Sequence, residues 1–344
     1  MRIGRYFLLG LAIAFCVVFA QRGAWAQSPR NFYKDRTITF YLATPPGGSW
    51  DVYSRILISH FSDHIPGHPK IILQYMPGAG GVRLLNFMAQ SAPKDGSAIA
   101  TPLPTSLLSA AFAPKQSHFS PPAFQWLGSM ARIQDVISVG SSSPVQSISA
   151  AKRRPATMGA TGTGSNTYFD VVLANALLHT KFKLVMGYEG SSDLDLAIER
   201  GEIDGRADTW DDWTTDHSEW VKDGKIKQLV QIGLTKLPEI GDVPLFSDLV
   251  ANKQDKKLLD FLSPGAAIGR ALFAPPGTPP DRVAVLRDAF AQTMNDPGYL
   301  ADARSHKLSA GDWKSGVEVQ KTVEDDFNAP PQLVGRAKSV MALH

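Results

Sequence analysis

Apolar residues recur along the chain in two spacings, short runs and helical stripes. Thr37-Ile38-Thr39-Phe40-Tyr41-Leu42 has the β-branched and aromatic content of a strand and stops at Pro45-Pro46-Gly47-Gly48. Val52, Ile56 and Leu57 then open a helical face. The device repeats: Ile71 to Met76 reads as a strand, Pro77-Gly78-Ala79-Gly80-Gly81 as a turn, and Leu84, Leu85 and Met88 as the next helix. It returns where Ala156 to Thr161 precedes Gly162-Thr163-Gly164-Ser165-Asn166, and where Lys183 to Met186 precedes Gly187-Tyr188-Glu189-Gly190-Ser191-Ser192. Late in the chain, Pro279-Pro280-Asp281 opens a helix carrying Val283, Leu286, Phe290 and Met294, and Asn295-Asp296-Pro297 stops it. Strand, glycine turn and helix in succession predict an α/β protein with parallel sheets.

The turns carry the first hint of chemistry. A parallel strand delivers the chain to the carboxyl edge of its sheet, and the next helix points unpaired N–H groups at that edge. Glycine lets the backbone approach a ligand closely, and the helix dipole favours an anion there. Turns at 46–51, 77–82, 162–167 and 189–193 can converge on one anionic ligand, or serve only as tight connections. The first two hold no Lys or Arg, although Arg83 follows directly. Binding by backbone amides suits a carboxylate.

Composition narrows the class. Of 344 residues, 44% are hydrophobic and 19% charged, the balance of a globular chain long enough for two lobes. The net charge of +3 comes from the N-terminus. Residues 1–26 hold Arg2, Arg5, Arg22 and no acid, so without them 35 basic residues become 32, against 32 acidic ones. Overall charge therefore gives no support for nucleic-acid binding. Arg2 and Arg5, the apolar run from Tyr6 to Ala20, and Ala24-Trp25-Ala26 form the three parts of a cleaved secretory signal. The run is short for a membrane span. The single cysteine, Cys16, falls inside it, so the mature chain is expected to have no disulfide or thiol chemistry.

Catalytic patterns are incomplete. Gly162-Thr163-Gly164 lacks the third glycine of a dinucleotide fingerprint, and no phosphate-binding loop or His-Glu-x-x-His motif occurs. Ser141, Ser142 and Ser143 run into Pro144 and make no nucleophile elbow. His60 and His64 share a helical face without a carboxylate at matching spacing, so a solvated face is expected rather than a metal site. The acidic run at 208–216 lacks the glycine and closing Glu of a calcium loop. No catalytic residue, metal or cofactor is expected.

The motifs together carry a resemblance. Pro45-Pro46-Gly47-Gly48-Ser49-Trp50-Asp51, Met76-Pro77-Gly78-Ala79-Gly80-Gly81 and Ala92-Pro93-Lys94-Asp95-Gly96 resemble the tripartite tricarboxylate transporter solute receptors, the Bug family. So do Gly159 to Asn166, Tyr188-Glu189-Gly190-Ser191 with Gly201-Glu202-Ile203-Asp204, and Ala274-Pro275-Pro276-Gly277-Thr278-Pro279. The likeness runs in order from about Asp35 to Leu300.

It implies a two-lobed, Venus-flytrap periplasmic binding protein with two hinge crossings, near Asp135-Val136 and Gln228-Leu229. Lobe one is then 28–134 plus 229–344, and lobe two is 135–228. It further implies an exported monomer in the periplasm of a Gram-negative bacterium, which takes up a small carboxylated solute and hands it to membrane permease subunits. Implied ligand-binding residues are Pro46, Gly47, Gly48, Ser49 and Trp50, then Gly78, Ala79 and Gly80, then Thr105 and Ser106. In the second lobe they are Gly162, Thr163, Gly164, Ser165, Asn166, Gly190 and Asp208. An exported α/β hydrolase or lyase using Asp208 or Asp51 as base, and a receptor that addresses a sensor kinase, are the alternative readings.

Three places depart from the family pattern. Gly205-Arg206-Ala207 stands where apolar strand residues are usual, which predicts an irregular strand. Trp50 occupies a turn position that is usually small or polar. Asp208-Thr209-Trp210-Asp211-Asp212-Trp213 is unusually aromatic and acidic, with Trp210 and Trp213 either facing the cleft or packing. Clustered acids repel a multiply charged anion, so a monocarboxylate with an aromatic, amino or hydroxyl portion is expected.

Overall fold

The computed structural model describes residues 32–342; the segment read as a signal peptide lies outside them. Eleven strands among the described residues form two sheets. The first orders β11 (Lys314–Ser315), β4 (Gln125–Ser129), β10 (Ala271–Ala274), β3 (Ala98–Thr101), β1 (Thr37–Leu42) and β2 (Lys70–Tyr75). The second orders β7 (Phe182–Met186), β6 (Ala156–Ala160), β8 (Gly205–Thr209), β5 (Asp135–Gly140) and β9 (Ile226–Ile232). The principal helices are α1 (Gly48–His64), α2 (Val82–Gln90), α3 (Asn166–Leu178), α4 (Ser191–Glu199) and α5 (Trp210–Asp216). They continue as α6 (Lys253–Leu262), α7 (Pro280–Met294), α8 (Pro297–Ser305), α9 (Gly316–Phe327) and α10 (Pro331–Ala342).

The expected strand–turn–helix units form where the pattern placed them. The sheets, however, are mixed rather than parallel. β1 pairs in parallel with β2 and β3, and β6 with β7 and β8, but β10 and β5 run antiparallel to both of their neighbours. The reversals come where the chain changes lobe, since a strand entering from the other sheet is not fed by a right-handed βα crossover. Arg206 does not disturb β8. Gly205 to Thr209 is buried throughout, and β8 lies between β6 and β5.

Each sheet owns a core. Phe40, Phe61, Leu127 and Phe290 fill one face of the first sheet, and Tyr41, Leu84, Trp126 and Phe273 the other. Val139, Met158, Val172 and Val230 pack in the second. Helix α3 is buried on nearly every face, as a helix apolar all round must be. The chain passes from β4 to β5 through 130–134, and the second sheet's last strand runs on to Ile232. The expected crossing at Gln228-Leu229 therefore falls inside β9, because Leu229, Val230 and Ile232 belong to the second core. Nor does everything beyond it return to the first lobe. Phe246, Leu258, Leu262 and Ala337 join the second core, so α6 and α10 cover α3. The apolar side of α3 turned away from its sheet needs that cover.

One close approach tests how α7 sits on the first sheet. A Cβ added to Gly128 of β4 would come within 2.1 Å of Phe290 Cε1. Gly128→Ala is expected to destabilise the protein by about 1–3 kcal/mol through overpacking. Urea unfolding should show a lower midpoint at unchanged slope. An unchanged midpoint would mean that Phe290 does not pack against β4.

Candidate functional site

The cleft is built from the turns at the carboxyl ends of the parallel strands. After β1 the chain turns at Gly47 and Gly48, both at positive φ (91° and 72°), which places the N-terminus of α1 at the cleft. Asp51 holds this turn. Its carboxylate accepts the Gly47 N–H at 3.0 Å, Arg55 Nε at 3.0 Å and the Tyr75 hydroxyl at 2.7 Å. The turn after β2 also uses positive φ at Ala79, Gly80 and Gly81. From the second sheet, the turns before α3 and α4 meet these two around a cleft of about 510 Å³.

Of the expected binding residues, Pro46, Gly47, Gly48, Trp50, Gly78, Ala79 and Gly80 line the cleft from one lobe, and Ser165, Asn166, Gly190 and Asp208 from the other. The other six lie off its wall. Ser49 is buried, its N–H donating to Asp212 Oδ1 at 3.1 Å. Thr105 Oγ1 donates to the Gly164 carbonyl at 2.7 Å, and Ser106 Oγ bonds the Leu103 carbonyl. Gly162 and Gly164 press their backbone against the opposite lobe: a Cβ on Gly80 would approach Gly164 N to 2.6 Å. Thr163 is exposed. These contacts describe a closed state, in which glycines let the two lobes touch.

The charges beside the cleft are organised by two arginines with no exposed surface, Arg206 and Arg270. Arg206 Nε donates to Asp195 Oδ1 at 2.7 Å and Nη2 to Asp212 Oδ2 at 2.7 Å, while Nη1 meets Asp208. Its guanidinium lies 4.1 Å from the Trp213 ring centroid. Burial alone would make Arg206 easier to deprotonate, but the three carboxylates outweigh it and raise its pKa. Asp208 is engaged at both oxygens, by the Thr209 N–H on one side and by Ser191 Oγ and Arg206 on the other. Burial, then repulsion from Asp212, still push its pKa up to about 6 against the pull of Arg206. Burial likewise lifts Asp135 to about 7, although Asn166 Nδ2 donates to it at 2.8 Å.

Trp210 and Trp213 do not face the cleft. They pack with Val136, Ile226 and Ile240 behind it, leaving Trp50 as the cleft tryptophan of the three. Asp212, Tyr188, Ser191 and Ser192 line the cleft without having been expected there. For the two serines the signal was present, since they stand just after Gly190 in a turn already read as one of four. Arg270 had a signal too, a lone cation at the head of the apolar run Ala271-Leu272-Phe273. His60 and His64 are not simply solvated: their Nε2 atoms pair with Asp302 and Asp296, at 2.7 and 3.0 Å. Among the described residues, no group of three or more His, Cys, Asp or Glu side chains is placed to hold a metal.

A family model described as tripartite tricarboxylate transporter family receptor matches residues 61–308. The chain is 25% identical over 285 residues to a protein from the gbd 5′ region of Cupriavidus necator, covering 80% of this chain and 79% of that one. Among solved structures it is similar to the periplasmic binding protein BugD, with a TM-score of 0.70 and 16% identity, covering 90% of this chain and 98% of the other. It is also similar to MatC of Rhodopseudomonas palustris with bound malate, with a TM-score of 0.66 and 20% identity over 89% and 99% of the two chains. A further R. palustris protein, with adipate, has a TM-score of 0.67 and 20% identity over 89% and 96%. The fold is that of the periplasmic binding proteins, two α/β lobes around a cleft.

Two outcomes follow from this geometry. In Gly164→Val, the nearest obstacle to the new side chain is the backbone of the opposite lobe, with the Gly80 carbonyl oxygen 2.7 Å from the added Cβ. The variant is expected to fold, with a near-native melt by circular dichroism, but to scatter X-rays as a more open particle. A compact variant would remove the interlobe contact. The second outcome concerns His217, whose Nε2 lies 2.7 Å from Asp195 Oδ2. Burial lowers its pKa, yet the Asp195 hydrogen bond and charge raise it above 6.5 overall. The stabilisation is fully present below the unfolded-state pKa and is lost as pH rises through the higher folded value. The stability gap between wild type and His217→Gln should thus shrink as pH rises above 6.5, measured by denaturant titration. A gap constant with pH would show that the pair carries no charge.

Proposed function

The chain belongs to the tripartite tricarboxylate transporter receptor family, and from that premise we propose that it is a periplasmic receptor that closes its lobes over a small carboxylate and presents it to a membrane permease. The observation that carries the reading is the supply of unclaimed backbone donors at the cleft. The first N–H groups of a helix have no acceptor within it. In α1, Gly47 donates to Asp51 and Ser49 to Asp212, which leaves Gly48 and Trp50. In α4, Ser191 and Ser192 likewise have no acceptor among the described residues. All four line the cleft, one pair from each lobe. A carboxylate set between two helix N-termini satisfies such donors and both dipoles.

The remainder of the solute is constrained by the other wall. Asp208, Asp212, Glu189 and Asp193 line it, no Lys or Arg among the described residues does, and Arg206 offsets one of the charges on Asp195, Asp208 and Asp212. A second carboxylate beside that wall is disfavoured, whereas a hydroxyl, ammonium or aromatic portion is accommodated, with Trp50 offering a ring. Malate and adipate occupy two proteins of this fold. The reading as an exported hydrolase or lyase fares worse. Asp51 and Asp208 already accept three hydrogen bonds each within the chain, which ties down the lone pairs a general base would use.

A thermal-shift screen of carboxylates against the mature protein tests this directly. A hit present at 100 times its Kd should add about 2.7 kcal/mol of stability. Mass spectrometry should recover that hit unchanged after prolonged incubation. Conversion of the hit to a product would replace the receptor reading with an enzymatic one.

A further inference from the structure

Beside the cleft, but not on its wall, a second set of contacts joins the lobes. It centres on Asp211, in the first turn of α5 in lobe two. Asp211 Oδ2 lies 2.9 Å from the Tyr53 hydroxyl and 3.3 Å from Arg270 Nη2, and Oδ1 accepts Ser309 Oγ at 3.0 Å. All three partners belong to lobe one, on α1, at the head of β10 and after α8. Arg270 Nη2 also reaches Ser49 Oγ of its own lobe at 3.0 Å and Thr209 Oγ1 of the other at 3.3 Å. None of Tyr53, Arg270, Asp211 or Ser309 lines the cleft.

The charges make this more than packing. Arg270 has no exposed surface, and its guanidinium stands 4.5 Å from the Trp50 ring centroid and 4.2 Å from that of Tyr53. Among the described residues, the one carboxylate within 4 Å of it is Asp211 of the opposite lobe. Its Nε and Nη1 are buried without a partner. Separating the lobes removes that counter-charge, so the open state must hydrate both Arg270 and Asp211. A buried ion is costly when its partner is withdrawn. The neighbouring Asp212 instead binds Arg206 of its own lobe and the Ser49 N–H, so two consecutive carboxylates serve one arginine from each lobe.

We propose that Asp211, Arg270 and Tyr53 form a latch that raises the closed population of the ligand-free protein, and so sets the affinity for every ligand by one common factor. They are positioning residues, acting through the closed population rather than by touching the solute. A ligand that requires the closed form binds with an apparent Kd equal to the intrinsic value divided by the closed fraction. The common-factor half rests on the receptor reading above; the closed population does not.

Distance measurement tests the latch without any ligand. Cys16 is the chain's single cysteine and lies in the signal segment, so spin labels at Lys115→Cys in lobe one and Lys183→Cys in lobe two report only the interlobe distance. The ligand-free wild type should populate the short distance beside a longer one, and Asp211→Asn should deplete the short one. Tyr53→Phe, which deletes one hydroxyl, should deplete it by less, with circular dichroism confirming that both fold. Wild-type distance distributions in both variants would overturn the latch. Lactate, a monocarboxylate with a hydroxyl, and any carboxylate of different shape found in the thermal-shift screen then serve as probes by calorimetry. Asp211→Asn should weaken each by the same factor, about tenfold if the closed fraction falls to a tenth. Factors that differ between ligands would instead place Asp211 in contact with the solute. Should no carboxylate bind, the receptor reading fails while the distance measurement still decides the latch.

Discussion

Two guanidinium groups with no access to water set the terms for the rest of the cleft. Arg206 lies in a strand of the second sheet and Arg270 directly before a strand of the first, and each must find its counter-charge inside the protein. The first turn of α5 lies between them and offers Asp211 to one and Asp212 to the other. Each guanidinium also lies over an aromatic ring, Trp213 for Arg206 and Trp50 with Tyr53 for Arg270. Moving either arginine would strand charge in a low-dielectric interior, so the geometry of this region is tightly held.

That constraint gathers three features that stand apart in the sequence into one structure. Trp50, Gly205-Arg206-Ala207 and the aromatic, acidic stretch from Asp208 to Trp213 look like separate oddities in the sequence. In space they are the two arginines' surroundings. Arg206 is tolerated in the middle of a buried sheet because three aspartates receive it. Those aspartates are tolerated at high density because Arg206 is there. The acidic run is thus partly neutralised and does less to repel an anion than its composition suggests.

The turns at the cleft follow a different principle. They bring backbone amides at helix N-termini to the cleft, with positive φ angles at Gly47, Gly48, Ala79, Gly80 and Gly81 that follow from local chain geometry. Glycine in these turns also lets the backbones of the two lobes meet. Gly80 and Gly164 show it most clearly, since their backbones meet at a distance that no side chain would allow.

The sequence by itself determined four strand–turn–helix units and the helix opening at Pro280, because each is set by residues within a few positions of one another. The strand from Thr37 to Leu42 and the helix opening at Pro280 were legible for that reason. So was most of the first lobe's cleft wall, from Pro46 to Trp50 and from Gly78 to Gly80. Only the tertiary structure decided which turns line the cleft and which press on the other lobe. It also decided that Trp210 and Trp213 pack rather than face the cleft, and that α6 and α10 cover the second core. The same holds for Arg270, whose carboxylate partner lies 59 residues away in the chain and in the other lobe. Periodicity reports whether a face is buried, but the identity of what buries it depends on contacts between distant segments that exist only once both lobes are assembled.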